Sequence, residues 1–199
     1  MSLNSKKFQF EFSPGATPLD PNEAMGLIPN YISTQGELNI LEQENILQAR
    51  TWLGSNQKEI LSDTFFRELH RKMFGEVWKW AGKYRLSGKS IGIHWPQVPV
   101  EVTKLLSDVS YWISNGTYDW DELGARFHHR AVSIHAFPNG NGRHARLMTD
   151  LVMMNHGKKL FSWGAGDLEY SGLVRSNYIS ALKEADERRY TRLIHFIRS

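Results

Sequence analysis

Apolar residues recur at helical spacing along most of this chain. In "STQGELNILEQENILQARTWLGS" the residues Leu38, Leu41, Ile46, Leu47 and Leu53 return every three to five positions, and Gly54 closes the run. Thr34 followed by Glu37 has the spacing of a capping box, so the pattern predicts a helix starting there. A second helix is predicted over 63–74, with Phe65, Phe66, Leu69 and Met73 on one side. The pattern then breaks. "RLSGKSIGIHWPQVPV" mixes glycines, β-branched residues and two prolines, which predicts a short hairpin or flap. Helical periodicity resumes over about 100–113 and 122–134, and again in "GRHARLMTDLVMMNHG", closed by Gly157. Two last helices are predicted over about 167–186 and 189–197. The fold class is therefore all-α, mainly helical, with one small β element.

The first 32 residues differ. "FSPGATPLDPNEAMGLIPNYI" is rich in proline, glycine and turn formers, which predicts an arm wrapping the surface with short ordered pieces. The expected organisation is an arm over 1–32 and one domain over 33–199.

Composition narrows the chemistry. The 199 residues are 41% hydrophobic and 23% charged, ordinary for a globular protein. There is no cysteine, so disulfides, thiol nucleophiles and cysteine-held metals are excluded. Basic residues outnumber acidic ones by 24 to 21, a net charge of +3, with no dense Lys/Arg block to favour nucleic acid as a partner. No apolar run reaches the ~18 residues needed to span a bilayer, and "MSLNSKKFQFEF" lacks a signal-type apolar core. The expectation is a soluble cytoplasmic protein with no membrane partner.

The candidate chemistry sits in "HAFPNGNGRHAR", residues 135–146, between two predicted helices. The start of a helix presents unpaired backbone N–H groups and a positive dipole end. Gly140 and Gly142 carry no side chain, so a phosphate can approach those groups closely. Asn141 tolerates unusual backbone angles and offers an amide. Arg143 and Arg146 are three apart on the following helix, and guanidinium groups suit phosphate oxygens. His135 is suited to take a proton near neutral pH. Phe137 is expected to anchor the loop to the core, and His144 to be a surface or packing residue. The set points to phosphoryl or nucleotidyl transfer. It requires the imidazole to face the point of attack and both guanidinium groups to reach one polyphosphate.

These residues resemble the signature of the Fic (Fic/Doc) family, H-x-F-x-[D/E]-G-N-G-R-x-x-R, matched in register by His135, Phe137, Gly140, Asn141, Gly142, Arg143 and Arg146. Together with "HHRAVSIHAF", "WKWAGKYR", "PGATPLDPNEAMGLIPNYI" and "ELNILEQENI", the chain is similar to the Fic subfamily called mobile mystery protein B. The resemblance implies a helical Fic fold with a β-hairpin flap, in a bacterial or mobile-element setting. It implies transfer of AMP from ATP to a protein Ser, Thr or Tyr hydroxyl. His135 would be the general base, and Gly140, Asn141 and Gly142 the anion hole. Arg143 would bind the phosphates and Arg146 the γ-phosphate. Ser90, Ile91 and Gly92 fall where a flap aligns the target segment by strand-like pairing. Where the family has a carboxylate for Mg2+, this chain has Asn139, a weaker ligand for a hard cation.

The family also implies a brake, a helix whose [S/T]-x-x-x-E-[G/N] glutamate pairs with the second motif arginine. Ser33 and Glu37, within the possible inhibitory helix 33–54, have the first spacing, and Glu44 with Asn45 is the other candidate. The reading favours a Glu37–Arg146 pair. A separately encoded regulator is the other implied control. An alternative function is a catalytically weak Fic domain that binds nucleotide or protein as a regulatory module, or one that transfers a different group. His128 and His129 are adjacent and point about 100° apart on a helix, which disfavours a metal centre; one of them is expected to pack under the loop. Of Trp78, Trp80, Trp95, Trp112 and Trp163, only Trp95 beside the flap is a candidate to stack on a base; the others are assigned to the core.

Overall fold

In the computed structural model, residues 18–53, 59–166, 168 and 172–199 are described. The helices are α1 (Pro21–Ala24), α2 (Gln35–Leu53), α3 (Asp63–Phe74), α4 (Val98–Asn115), α5 (Trp120–Ile134), α6 (Asn141–Asn155), α7 (Leu173–Asp186) and α8 (Thr191–Arg198). Short 3-10 turns lie at Trp95–Gln97 and Trp163–Ala165. The Gly54 stop and the segment around Asp167 fall outside the described residues. Among the described residues no β-strand forms; the one bridge is Leu27 against Trp78.

Helix α3 shows how the sequence builds the core. Ser62 caps it by accepting from the Phe65 N–H at 3.2 Å, and Asp63 follows in the first turn. Phe65, Phe66, Leu69, His70, Met73 and Phe74 are buried on one broad stripe. This stripe packs in a core with residues of α2, α4, α5 and α6. Helix α5 is capped by Asp119, which accepts from the Glu122 N–H at 2.8 Å. A second cluster joins Ala125 of α5 and Met153 of α6 to Tyr178, Ala181, Leu193 and Ile197 of α7 and α8. Helices α5 and α6 belong to both clusters, so the loop between them is held from two sides.

The described part of the arm, residues 18–32, is tied down by backbone bonds. Ile28 N–H donates to Val77 C=O and Lys79 N–H to Gly26 C=O, both at 2.9 Å. Glu23 of α1 accepts from Ser87 Oγ at 2.9 Å and pairs with Lys89, joining the arm to the flap. The flap is a loop rather than a hairpin. Its backbone carbonyls turn inward to the buried Arg85 guanidinium, which accounts for the missing strand pairing: Ser87 C=O accepts at 2.8 Å and Ile93 C=O at 2.5 Å.

Candidate active site

Residues 135–140 form the turn between α5 and α6. His135 ends α5 in the left-handed region, at φ 53 and ψ 60. A non-glycine residue costs roughly 1–2 kcal/mol there, so its surroundings must hold it. Arg85 does so. Its backbone N–H donates to Ala136 C=O at 3.0 Å, and its Nε donates to His135 C=O at 2.5 Å. Arg85 is 1% exposed, and among the described residues no carboxylate forms an ion pair with it. Carbonyl dipoles from the flap and from the end of α5 carry its charge instead.

The floor of the turn comes from α3. Phe137 is fully buried, stacked on His70 at a ring separation of 3.7 Å and on Phe66 at 5.7 Å. It is the anchor that the sequence implies. The His70 tautomer is fixed by its two partners. Nδ1 accepts from the Gly82 N–H at 3.0 Å, so Nε2 carries the proton and donates to Asn139 C=O at 3.0 Å. Gly140 sits at φ 78, where a Cβ would lie 2.6 Å from the Phe74 ring. Glycine is required there twice, by backbone angle and by space.

The polar side chains of the turn are partly committed to the turn itself. Asn141 closes a ring with the Phe137 backbone, accepting from its N–H at 2.9 Å and donating to its C=O at 2.8 Å. Its amide therefore shapes the loop; its contribution to an anion site is its backbone N–H, in the first turn of α6 beside that of Gly142. Asn139 Oδ1 accepts from the Gly140 N–H at 2.5 Å, and its C=O accepts from His70 Nε2. Asn139 thus brings a neutral amide oxygen, already accepting one hydrogen bond, to the place where the signature quoted above has a carboxylate, which makes it a weaker ligand for a hard cation. The Gly140 N–H is likewise taken from the expected anion hole.

His135 differs from its expected placement. It is 6% exposed, and neither ring nitrogen has a hydrogen-bond partner among the described residues. Gly92 of the flap lies directly on it, at φ 101, where a Cβ would sit 2.6 Å from His135 Cβ. The imidazole is thus buried rather than open at the surface, with the flap backbone at Gly92 against its Cβ. Burial, and then the charges of Arg85 and Lys89, lower its pKa to about 4. At neutral pH it is an uncharged base. Ser90 and Ile91 are exposed on the same flap, and Trp95 is 37% exposed just beyond it.

The two arginines lean on different walls. Arg143 Nη1 donates to Glu42 Oε2 at 2.7 Å, and its guanidinium lies 4.8 Å from the centre of the Phe74 ring. Arg146 is half-buried one turn further on, with Nη1 3.7 Å from the position of a Gly142 Cβ and Tyr178 Oη 3.8 Å from the same point. Neither side chain is spread into open solvent.

The predicted brake is also corrected. Glu37 is exposed, and its Oε2 accepts from Ser33 N–H at 2.8 Å, Ser33 Oγ at 3.0 Å and Thr34 N–H at 3.0 Å. These bonds hold its carboxyl below the usual carboxylate range. Glu37 and Thr34 form the reciprocal helix cap that their spacing predicts, with Ser33 as a further donor, and Glu44 is exposed as well. The carboxylate that α2 sends into the site is Glu42.

His128 is buried with Nε2 2.8 Å from Tyr178 Oη, whereas His129 reaches Asp186 at 2.8 Å. The two diverge, as adjacency requires. His144 is buried and bonded to Phe66 C=O at 2.8 Å, so it packs rather than facing solvent. Sequence reasoning missed Glu42, His70 and Arg85. For Glu42 a signal existed: Leu38, Glu42, Asn45, Ala49 and Leu53 form one buried stripe, with two polar residues on it.

Comparison with known proteins follows the same geometry. Residues 60–153 match the Fic/DOC family. The protein adenylyltransferase fic-1 of Caenorhabditis elegans is 34% identical over 109 residues, 53% of this chain and 21% of that protein. The chain thus spans about a fifth of the length of that relative. Fic-1 (aa134 - 508) from C. elegans superposes with a TM-score of 0.57 at 25% identity, covering 77% of this chain and 46% of that one. The BepC protein of Bartonella tribocorum, solved with bound AMPPNP, shares the fold over 97% of this chain and 96% of its own, at a TM-score of 0.65 and 15% identity. The stretch that matches the Fic/DOC family runs from just before α3 to most of α6 and includes the loop 135–140 and the flap.

Proposed function

We propose that this chain transfers AMP from ATP to a Ser, Thr or Tyr hydroxyl of a protein. The observation that carries the reading is His135: buried, uncharged at neutral pH and without a partner on either ring nitrogen, one turn before a helix N-terminus flanked by two arginines. A buried polar group left unpaired costs about 1–3 kcal/mol, which a target hydroxyl would recover. Adenylyltransferase is the name of the relatives that share this domain, and a structure of the same fold carries AMPPNP.

In this mechanism the polyphosphate lies across the N–H groups of Asn141 and Gly142, beside Arg143 and Arg146. The flap yields at Gly92 so that a hydroxyl supported along Ser90 and Ile91 reaches His135. A ring nitrogen takes the hydroxyl proton, the oxygen bonds to the α-phosphorus, and pyrophosphate leaves with the electrons of the broken P–O bond. The mobile mystery protein B likeness, and with it a separately encoded regulator, is part of the proposal and rests on the stretches quoted above. A second reading, a nucleotide-binding regulatory module, is favoured by one observation: Asn139 supplies no charge for a metal and covers the Gly140 N–H.

Labelled ATP incubated with the chain and a lysate separates the two. Label on protein, reduced by two orders of magnitude or more in His135→Ala as expected of a lost general base, supports transfer. Label that is unchanged in His135→Ala sinks it. ATP binding without label supports the module.

A further inference from the structure

Glu42 is an acidic residue on the core stripe of a helix, and both of its oxygens are engaged. Trp78 Nε1 donates to Oε1 at 2.6 Å, and Arg143 Nη1 donates to Oε2 at 2.7 Å. Glu42 is 5% exposed and Trp78 1%. A buried carboxylate is costly unless it is paired and hydrogen-bonded, and this one is both. The indole that holds it is itself fixed, stacked on Trp80 at 4.9 Å, with its backbone N–H on Phe74 C=O at 2.8 Å. Phe74 in turn lies under the Arg143 guanidinium and against Gly140.

Two roles fit a carboxylate on a phosphate-binding arginine. It occupies the place of the phosphate, or it aims the arginine. Occupying the place is useful only if the helix can leave. Helix α2 is built in: Leu38, Ala49 and Leu53 are core residues, and Asn45 donates to Lys72 C=O and accepts from Glu76 N–H, each at 3.0 Å. The contact is also to the first motif arginine, nearest the N-terminus of α6, rather than to Arg146 one turn away.

We infer that Glu42, held by Trp78, is a positioning residue that keeps the Arg143 guanidinium at the edge of the α6 N-terminus, where it meets the nucleotide phosphates. This rests on the transfer reading for its function but not for its geometry. Without the carboxylate the long Arg143 side chain keeps the Phe74 ring but loses the buried anion that fixes Nη1.

The test combines equilibrium binding of ATP with the label-transfer rate, for wild type, Glu42→Gln, Glu42→Ala, Arg143→Ala and the Glu42→Ala/Arg143→Ala double variant. Expected is a weakening of ATP affinity by about 10- to 100-fold in Glu42→Ala, the loss typical of orienting groups, carried in KM more than in kcat. Glu42→Gln should fall between wild type and Glu42→Ala, because its amide oxygen still serves one of the two donors. The double variant should lose no more than Arg143→Ala alone, which a general loss of packing would not reproduce. Urea unfolding of each variant confirms that the folded protein is compared. Higher activity in Glu42→Ala would make the residue a brake and overturn the inference. Losses that add in the double variant, or unchanged affinity, would overturn it equally. If wild type binds ATP and transfers nothing, transfer fails as a reading while Glu42 is judged on binding. If it binds no ATP, both fail.

Discussion

Helices α2 and α3 lie against each other and present opposite kinds of buried face. That of α3 is apolar but for His70, whose two bonds go to backbone groups. That of α2 interrupts Leu38, Ala49 and Leu53 with Glu42 and Asn45. The face of α3 stores stability through volume and spacing, and only His70 on it reaches the loop by a hydrogen bond, at Asn139 C=O. The polar face spends burial on direction: Glu42 fixes Trp78 and Arg143, and Asn45 fixes the Lys72 C=O and the Glu76 N–H at the end of α3.

Acid should strain this arrangement most. Burial lowers the pKa of His128 and His144 to about 3 and of His135 to about 4, and pushes His70 well below its ordinary value. In the unfolded chain each titrates near ~6.5. Above that pH the folded and unfolded states bind equal numbers of these protons; below it only the unfolded state gains them. Stability should therefore be complete above about pH 6.5 and fall by about 1.4 kcal/mol per pH unit for each such histidine, down toward its folded pKa. Urea midpoints at pH 7 and pH 5 check this, and equal midpoints would mean that these histidines are not held neutral.

Next in size is Leu69→Ala on α3. Leu69 is fully buried, and the cavity should cost about 2–5 kcal/mol in urea unfolding. On α2, Asn45→Ala should cost less, about 1–3 kcal/mol, by stranding the Glu76 N–H and the Lys72 C=O. Equal losses would erase the distinction between the two faces.

The same contrast explains what was legible in the sequence. The predicted bounds of α3 coincide with the observed Asp63–Phe74, because apolar spacing and a Ser cap act over one turn. In α2 the apolar spacing chose Leu47, which is 65% exposed, and passed over Glu42. Periodicity counts greasy residues and is blind to a carboxylate whose partners, Trp78 and Arg143, lie 36 and 101 positions away. The motif residues around the loop were legible as a set because their spacing is local. The burial of His135 was not, since the flap glycine against its Cβ and the arginine on its carbonyl, Gly92 and Arg85, arrive from a separate segment. The flap read as a hairpin because its composition fits one, whereas its carbonyls are drawn to a buried guanidinium that no pairing pattern reveals.

The smallest expected effect is the one that separates Glu37 from Glu42. Both are acids on α2, five positions apart, and a spacing motif alone favours the first. The first bonds only to the chain just before it, at the exposed start of the helix; the second reaches Arg143 from the core. Glu37→Gly should lower the unfolding midpoint slightly, by removing a capping partner and adding a flexible residue, and leave ATP affinity and transfer at wild-type levels. Measured beside Glu42→Ala, the pair tests whether distance from the loop or position in the motif governs function. A rise in transfer on Glu37→Gly would restore the brake and show that the capped geometry is not the one that controls ATP. Unchanged transfer, with a loss in Glu42→Ala, leaves the buried face of α2 as the part of the helix that acts on the site.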